Sequence, residues 1–353
     1  MNGLRWRPDL VVALVIGLVL LVGLPRVVEL FTLLEVTVYV IMAILALSLG
    51  LIWGYGGILC FGQAAFFGLG AYTYAIAAFN MANPTWPFLL AIILPALAAA
   101  VLGYVMFYGR LSDVYVGVTT LVVTLILQKL VNHTAGAEYR IGEALLGGFN
   151  GIPAIPPLTL PWDTGYFLDP EEMFYLCMGL LILVYFGLRA LLASHFGRVV
   201  VAIRENEARA ELLGYDSRLY KLAVFAIGGA IAGLAGCLFA NWGAFTSPNV
   251  FSLWQTAQIL IWVLVGGLGT LIGPIVGAVA LQYLTTQLGT QTVLHNSLVL
   301  GAILIGFVLL VPRGLVPSLT SLWRRGRARR RRPAEPRRRR PRPAAEAEVP
   351  AGD

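Results

Sequence analysis

Apolar runs of about 20 residues, separated by short polar connectors, make up most of the chain. A helix of that length matches the thickness of a bilayer's hydrocarbon core. Lipid offers no hydrogen bonds, so only helices and closed barrels can span it. With 58% hydrophobic and 12% charged residues, the chain has too little polar surface to cover a water-soluble globule. We therefore predict an all-α, polytopic integral membrane protein.

Hydropathy predicts ten membrane spans, whose loop charges set the orientation of the chain. The predicted spans are 10–24, 31–52, 58–79, 87–107, 114–132, 173–193, 222–242, 254–268, 274–288 and 297–312. The loop 194–221 carries five Lys or Arg residues, whereas the loop 134–172 carries only Arg140 against six acidic residues. By the positive-inside rule the first loop is cytoplasmic and the second is external. With ten crossings, both termini then lie in the cytoplasm.

The basic character of the chain resides in its last 30 residues. Residues 324–353 contain twelve Arg and four acidic residues, a net charge of +8, which leaves −1 of the overall +7 for residues 1–323. This segment is rich in Pro and Ala and has no apolar periodicity, which predicts a disordered tail after a transmembrane permease domain at 1–323. A solvated tail that helps to fix topology is the favoured interpretation, over specific binding to nucleic acid or anionic lipid.

Two apolar stretches are interrupted by glycine, one in each half of the chain. The first is "WGYGGILCFGQAAFFGLGAY" at 53–72, and the second is "VGGLGTLIGPIVGA" at 265–278. Paired interrupted segments are the sequence feature that best indicates a transporter's central site. The residues predicted to line the pathway, or to pack around it, are Gly54, Gly56, Gly57, Gln63, Gly266, Gly267 and Gly269. The Gln63 amide either bonds a neighbouring helix or lines the pathway.

Several kinds of chemistry find no support in the sequence. The three His and three Cys residues are isolated, so we predict no metal site and no disulfide framework. Ionisable residues are scarce inside the predicted spans, which argues against proton or sodium coupling. The chain also lacks a GxxxxGK[ST] phosphate loop and any catalytic pair, so it is not predicted to be an enzyme. A separate ATPase subunit would account for both the absent coupling groups and the absent phosphate loop.

The cytoplasmic loop contains a predicted amphipathic segment. Residues 198–213 are predicted to form one helix ending at Gly214, after which Asp216 or Ser217 caps the next span. The charged residues of this segment are balanced in sign, which favours a groove on a protein partner over anionic lipid.

Four segments, in order, resemble the permease subunits of branched-chain amino acid ABC importers. They are the first glycine-rich stretch, "GGFNGIPAIPPL", the loop and span "GRVVVAIRENEARAELLGYDSRLYKLAVFAIGGAIAGLAGCLFA", and "VLVGGLGTLIGPIVGA". The resemblance covers most of residues 30–316. It implies a bacterial inner-membrane protein that pairs with a second, homologous permease subunit and two cytoplasmic ATPase subunits. Substrate would come from an external binding protein, and ATP would bind the partner subunits, with no cofactor on this chain.

The resemblance also implies that the cytoplasmic loop couples ATPase motion to transport. The coupling residues it indicates are Arg204, Glu205, Glu207, Ala208, Arg209, Ala210 and Gly214. Arg209 stands where the related importer motif has its central alanine. Permeases for urea and short amides belong to the same family and are the alternative for substrate. A homo-oligomeric channel or facilitator is the alternative of a different class.

Overall fold

The computed structural model describes residues 8–81, 85–160, 163–289 and the single positions 301, 314 and 318. Eleven α-helices lie within these ranges. They are α1 Pro8–Val27, α2 Leu30–Leu49, α3 Gln63–Asn80, α4 Thr85–Tyr108, α5 Asp113–Asn132, α6 Pro170–Ala193, α7 His195–Glu205, α8 Glu207–Leu212, α9 Ser217–Gly243, α10 Leu253–Gly266 and α11 Ile272–Gly289. Nine of the ten predicted spans coincide with α1–α6 and α9–α11. The tenth predicted span, 297–312, and the tail 324–353 lie outside the described residues.

The long helices have the length and composition that a bilayer requires. Five of them meet both criteria for a membrane span, namely α2 with its continuation to Tyr55, α4, α5, α6 and α9; the apolar part of α1, Leu14–Val27, and α10 are apolar but shorter. Local capping sets where helices begin: the Asp216 side chain accepts a hydrogen bond from the backbone of Arg218 at the start of α9, as predicted. The prediction of an all-α polytopic membrane protein is confirmed.

Helix α2 lies in the middle of the bundle. It contacts α6, α9, α10 and α11, and all its residues from Tyr39 to Leu49 are buried. An apolar residue on every side of a helix is the pattern expected for such a central position.

Glycines let α9 approach its neighbours closely. A Cβ at Gly229 would meet Ala99 of α4, and one at Gly236 would overlap the Phe67 carbonyl of α3. Gly70 of α3 faces the backbone of Gly233 in the same way. Membrane helices commonly associate through such small residues, because lipid provides no hydrophobic drive between them.

This packing predicts a large stability effect at Gly236. Replacing Gly236 with valine should lower the Tm of the purified protein by about 5 °C or more, since the new side chain would push α9 away from α3. Gly187→Val is the matched control, because nothing lies within 4 Å of a Cβ at that position on α6. Equal Tm values for the two variants in a detergent melting assay would contradict the packing argument.

Short strands lie in the connectors at one end of the bundle. They are β1 Arg140–Ile141, β2 Ala144–Leu145, β3 Ile152–Pro153, β4 Thr159–Leu160, β5 Asp163–Phe167 and β6 Phe245–Thr246, paired antiparallel as β1–β2, β3–β6 and β4–β5. The β3–β6 pair joins the long 134–169 connector to the connector between α9 and α10. These strands lie outside the helix bundle and do not change its class.

Hydrogen bonds fix this connector at the carboxyl ends of α3 and α9. The Tyr74 hydroxyl donates to the Pro156 carbonyl at 2.9 Å, and the Asn241 amide donates to the Tyr74 hydroxyl at 2.7 Å. Helices α7 and α8 instead precede the amino end of α9. The net negative loop 134–172 and the net positive loop 194–221 therefore lie at opposite ends of the bundle. We call these the connector end and the coupling end, respectively.

A glycine-lined mouth and the segment that contacts it

The first glycine-rich stretch does not continue as a helix. After α2, residues Gly50–Tyr55 form a π-helical turn, in which the Gly56 N–H donates to the Leu51 carbonyl at 2.9 Å. Residues 56–62 are then non-helical, and α3 begins at Gln63 rather than near residue 58 as predicted. Gly57, whose φ of +70° lies in the left-handed region, follows the π-helical turn, and the chain does not resume a helix until Gln63. Hydropathy does not detect such a backbone angle.

Arg204 of α7 lies against this break. Its Nη1 donates a hydrogen bond to the carbonyl oxygen of Gly54, and its side-chain stem crosses Gly57, where a Cβ would lie 2.5 Å from Arg204 Cγ. A cation near the carboxyl end of a helix is favourable because it neutralises the exposed carbonyls. We call α7 and α8 together the coupling segment, after the role that the sequence predicts for it. The segment is thus held directly to the end of the central helix.

The second glycine-rich stretch meets the first at the same place. A Cβ at Gly54 would lie 3.1 Å from the backbone nitrogen of Gly269, and Gly269 has a φ of +79°. A cavity of about 660 Å³ opens here, which we call the mouth; it is lined by Trp53, Gly54, Tyr55, Val201, Arg204, Leu268 and Gly269. The two glycine-interrupted stretches, far apart in sequence, therefore form one feature at the coupling end.

Not every predicted pathway residue lines the mouth. Gly56 packs against the Ile52 carbonyl and Val224, while Gly266 packs against the backbone of Gly273 where α10 meets α11. Gly267 is the residue that ends α10. Of the predicted glycines, Gly54 and Gly269 line the mouth, Gly57 holds Arg204 beside it, and the others shape the helices around it.

Gln63 bonds neighbouring helices. Its side chain is fully buried, and Nε2 donates to Ser48 Oγ at 2.6 Å and to the Gly228 carbonyl at 3.1 Å. Of the two roles that the sequence left open for this amide, the structure shows the interhelical one. Gln63 ties the start of α3 to both α2 and α9.

The coupling segment is two helices, so the prediction of one helix over 198–213 was wrong. Asn206 interrupts it with extended backbone, φ −160° and ψ 97°, and its Oδ1 accepts a hydrogen bond from the Arg209 backbone at 2.9 Å. An Asn before an acidic first turn is an N-cap signal, so the sequence did contain a sign of this break. Gly214, with a φ of +88°, follows shortly after α8 ends.

An ion pair and a hydrogen bond hold α8 against the start of α9. Glu207 accepts a hydrogen bond from Lys221 of α9 at 2.6 Å, and Glu211 accepts one from Ser217, also at 2.6 Å. Partial burial raises the pKa of Glu207, but the hydrogen bond from Lys221 and the positive charge of Lys221 bring it below the ordinary value. Glu207 is therefore ionised at neutral pH. Glu205 pairs in turn with Arg204.

The rest of α8 divides into a packed side and an exposed side. Ala210 is buried against Val199 and Ile203 of α7, whereas Ala208 and Arg209 are exposed. At the far end of α8, Leu212 is 89% exposed and Leu213 is 72% exposed. Two adjacent bare leucines outside the apolar bundle are the kind of surface that a protein partner covers. Both leucines are among the apolar residues of the amphipathic segment that the sequence predicts over 198–213.

Comparison with known proteins identifies the family of this chain. Residues 31–311 match the family described as branched-chain amino acid transport system, permease component. The high-affinity branched-chain amino acid transport system permease protein LivM of Escherichia coli is 32% identical over 86% of this chain and 74% of its own length. Its Salmonella typhimurium counterpart is 31% identical over 80% and 69%, respectively. The probable LivM of Methanocaldococcus jannaschii is 28% identical over 64% and 72%.

No solved structure gave a significant match. The family match spans most of the chain and includes both glycine-rich stretches and the coupling segment. The chain is a membrane-embedded transport subunit, and it belongs to the family of permease components of branched-chain amino acid transport systems.

Proposed function

We propose that this chain is the permease subunit of an ATP-driven ABC importer in the bacterial inner membrane, with both termini in the cytoplasm. It translocates branched-chain or related hydrophobic amino acids that an external binding protein delivers. The observation that carries the proposal is the contact of Arg204 with the mouth formed by the two glycine-rich stretches. The names of the relatives favour branched-chain amino acids over urea or short amides as substrate.

In this proposal, α8 and α7 transmit the conformational change of the ATPase to the mouth. In this proposal a cytoplasmic ATPase subunit docks on Leu212 and Leu213 and hydrolyses ATP, since this chain has no phosphate loop. Movement of α8 is passed to α7, whose Arg204 holds Gly54. A shift of Arg204 then changes the contact between Gly54 and Gly269 and with it access to the mouth.

The connector end supplies the surface for the external binding protein. Phe149 is 68% exposed on the 134–169 connector, which is tied to the bundle through Tyr74 and Asn241. A rigidly held connector with an exposed aromatic residue suits docking, because aromatic side chains are enriched at protein interfaces. A second, homologous permease subunit completes the transporter within the membrane.

Single substitutions at the two ends should separate the two partners. Leu212→Ser is expected to lower recovery of the ATPase subunit with the tagged chain by about tenfold, because the apolar side chain that the partner would cover is replaced by a polar one. Phe149→Ser is the matched control: it should leave ATPase recovery intact and weaken capture of the external binding protein. Mass spectrometry of the purified complexes measures both. Unchanged ATPase recovery with Leu212→Ser and with Leu213→Ser would contradict the docking surface.

A further inference from the structure

A cation at the coupling end of α6 has no acidic partner among the residues that the structure describes. Arg189 lies one turn before α6 ends at Ala193, and its Nη1 donates to the Tyr185 hydroxyl at 3.2 Å. The ion pairs within the described ranges are Arg204–Glu205 and Lys221–Glu207. A guanidinium has five N–H donors. Most of the hydrogen-bonding capacity of Arg189 is therefore open to a ligand.

Arg189 faces a cavity that suits a polar headgroup. The cavity has a volume of about 330 Å³ and is lined by Arg189, Leu192, Tyr55, Tyr185 and the turn 269–272 before α11. Tyrosines are enriched where a membrane meets water, and arginine binds phosphate through paired N–H donors. The lining thus combines a cation with two phenol groups at the coupling end of α6.

An apolar groove continues from this cavity toward the middle of α6. It has a volume of about 450 Å³, lies between α1, α6 and α11, and shares Tyr185 and Ile272 with the headgroup cavity. On α6 the groove is lined by Met178, Ile182 and Tyr185. These residues and Arg189 are spaced four, three and four positions apart, which places all four on one helix face. From Met178 to Arg189 the helix rises about 16 Å, close to half the hydrocarbon thickness.

We propose that the cavity and groove together bind one anionic phospholipid. Its phosphate pairs with Arg189 and the neighbouring tyrosine hydroxyls, and one acyl chain fills the groove across a single leaflet. Basic pockets between membrane helices bind anionic headgroups in this way. The site requires only that the chain lies in a bilayer, so it does not depend on the proposed substrate.

The position of this lipid connects it to transport. Tyr55 and Gly269 line both the headgroup cavity and the mouth. A bound headgroup therefore contacts Tyr55, next to the Gly54 carbonyl that Arg204 bonds, and its presence stabilises the π-helical turn Gly50–Tyr55.

Native mass spectrometry of the full chain, purified with its associated subunits, tests the site. With phosphatidylglycerol or phosphatidylcholine added, we expect one phosphatidylglycerol to remain bound after washing, and Arg189→Gln to lower its retention about tenfold. Arg198→Gln is the matched control, since Arg198 is an exposed arginine at the same end that donates to the Ala193 carbonyl. Equal retention of the two lipids, or unchanged retention with Arg189→Gln, would overturn the proposal.

A second measurement identifies what fills the groove. Val276 lines it and is 39% exposed, so a photoreactive residue there should label a bound molecule without disturbing the bundle. Labelled phospholipid supports the site, and Val276→Trp should then lower phosphatidylglycerol retention by occupying the space. Labelling of another polypeptide instead would show that a protein covers the groove and would refute the lipid site.

Discussion

Replacing Arg204 with glutamine is expected to lower substrate uptake by about tenfold or more while the complex still assembles. Arg204 of α7 donates a hydrogen bond to the Gly54 carbonyl, and the aliphatic part of its side chain fills the space over Gly57. Glutamine is shorter and uncharged, so it loses both the contact and the neutralisation of the α2 carbonyls. The docking leucines are untouched, so the ATPase subunit should still bind.

The decisive readout compares ATP hydrolysis with uptake in the same reconstituted vesicles. Arg204→Gln should hydrolyse ATP while transporting little, because motion at α8 no longer reaches the mouth. Gly57→Ala should resemble it, since a Cβ there would meet Arg204 Cγ at 2.5 Å and the φ of +70° disfavours any side chain. Arg198→Gln serves as the control and should transport normally. Normal uptake with Arg204→Gln would refute the proposed link.

Reversing the charge at Glu207 should abolish most uptake, and a second reversal at Lys221 should restore it. Glu207 and Lys221 form an ion pair at 2.6 Å that fixes α8 against α9. Glu207→Lys places two cations side by side, so α8 would turn away from the orientation in which its leucines face the ATPase. Because the pair is partly exposed, its contribution to stability is small, and the effect should fall on coupling rather than on insertion.

Uptake by four forms of the protein tests this pair: unaltered, Glu207→Lys, Lys221→Glu and the double exchange. Each single variant should express and insert normally yet lose transport, while the double exchange should recover at least about half of it. Arg209→Glu examines a neighbouring exposed charge that is also predicted to take part in coupling. Failure of the double exchange to recover transport, with normal expression, would argue against the pair as the element that orients α8.

The sequence predicted most of the helical bundle because bilayer thickness and backbone hydrogen bonding leave few choices. Nine predicted spans coincide with described helices, and the balance of loop charge separates the two ends of the bundle. The start of α3 was misplaced, because residues 58–62 are mostly apolar and hydropathy includes them in the span although they are not helical. The division of the coupling segment at Asn206 was missed although an N-cap signal was present.

The mouth could not be predicted as a unit. Gly54 and Arg204 are 150 positions apart, and no periodicity or spacing relates them. The glycine pattern indicated two interrupted stretches, and the amphipathic loop indicated a coupling element. The contact between them arises only from the tertiary fold. The same holds for Arg189, whose significance depends on the cavity that the π-helical turn after α2, α6 and residues 269–272 build around it.

The most direct test of the proposed function is flux into vesicles from purified components. We expect uptake of a branched-chain amino acid only when the vesicles contain this chain, a second permease subunit and the ATPase subunits, with ATP supplied on the coupling-end side and the binding protein on the other. The chain by itself should transport nothing. Rapid uptake by this chain alone, without ATP or partners, would contradict the importer and show that the protein is a channel or facilitator.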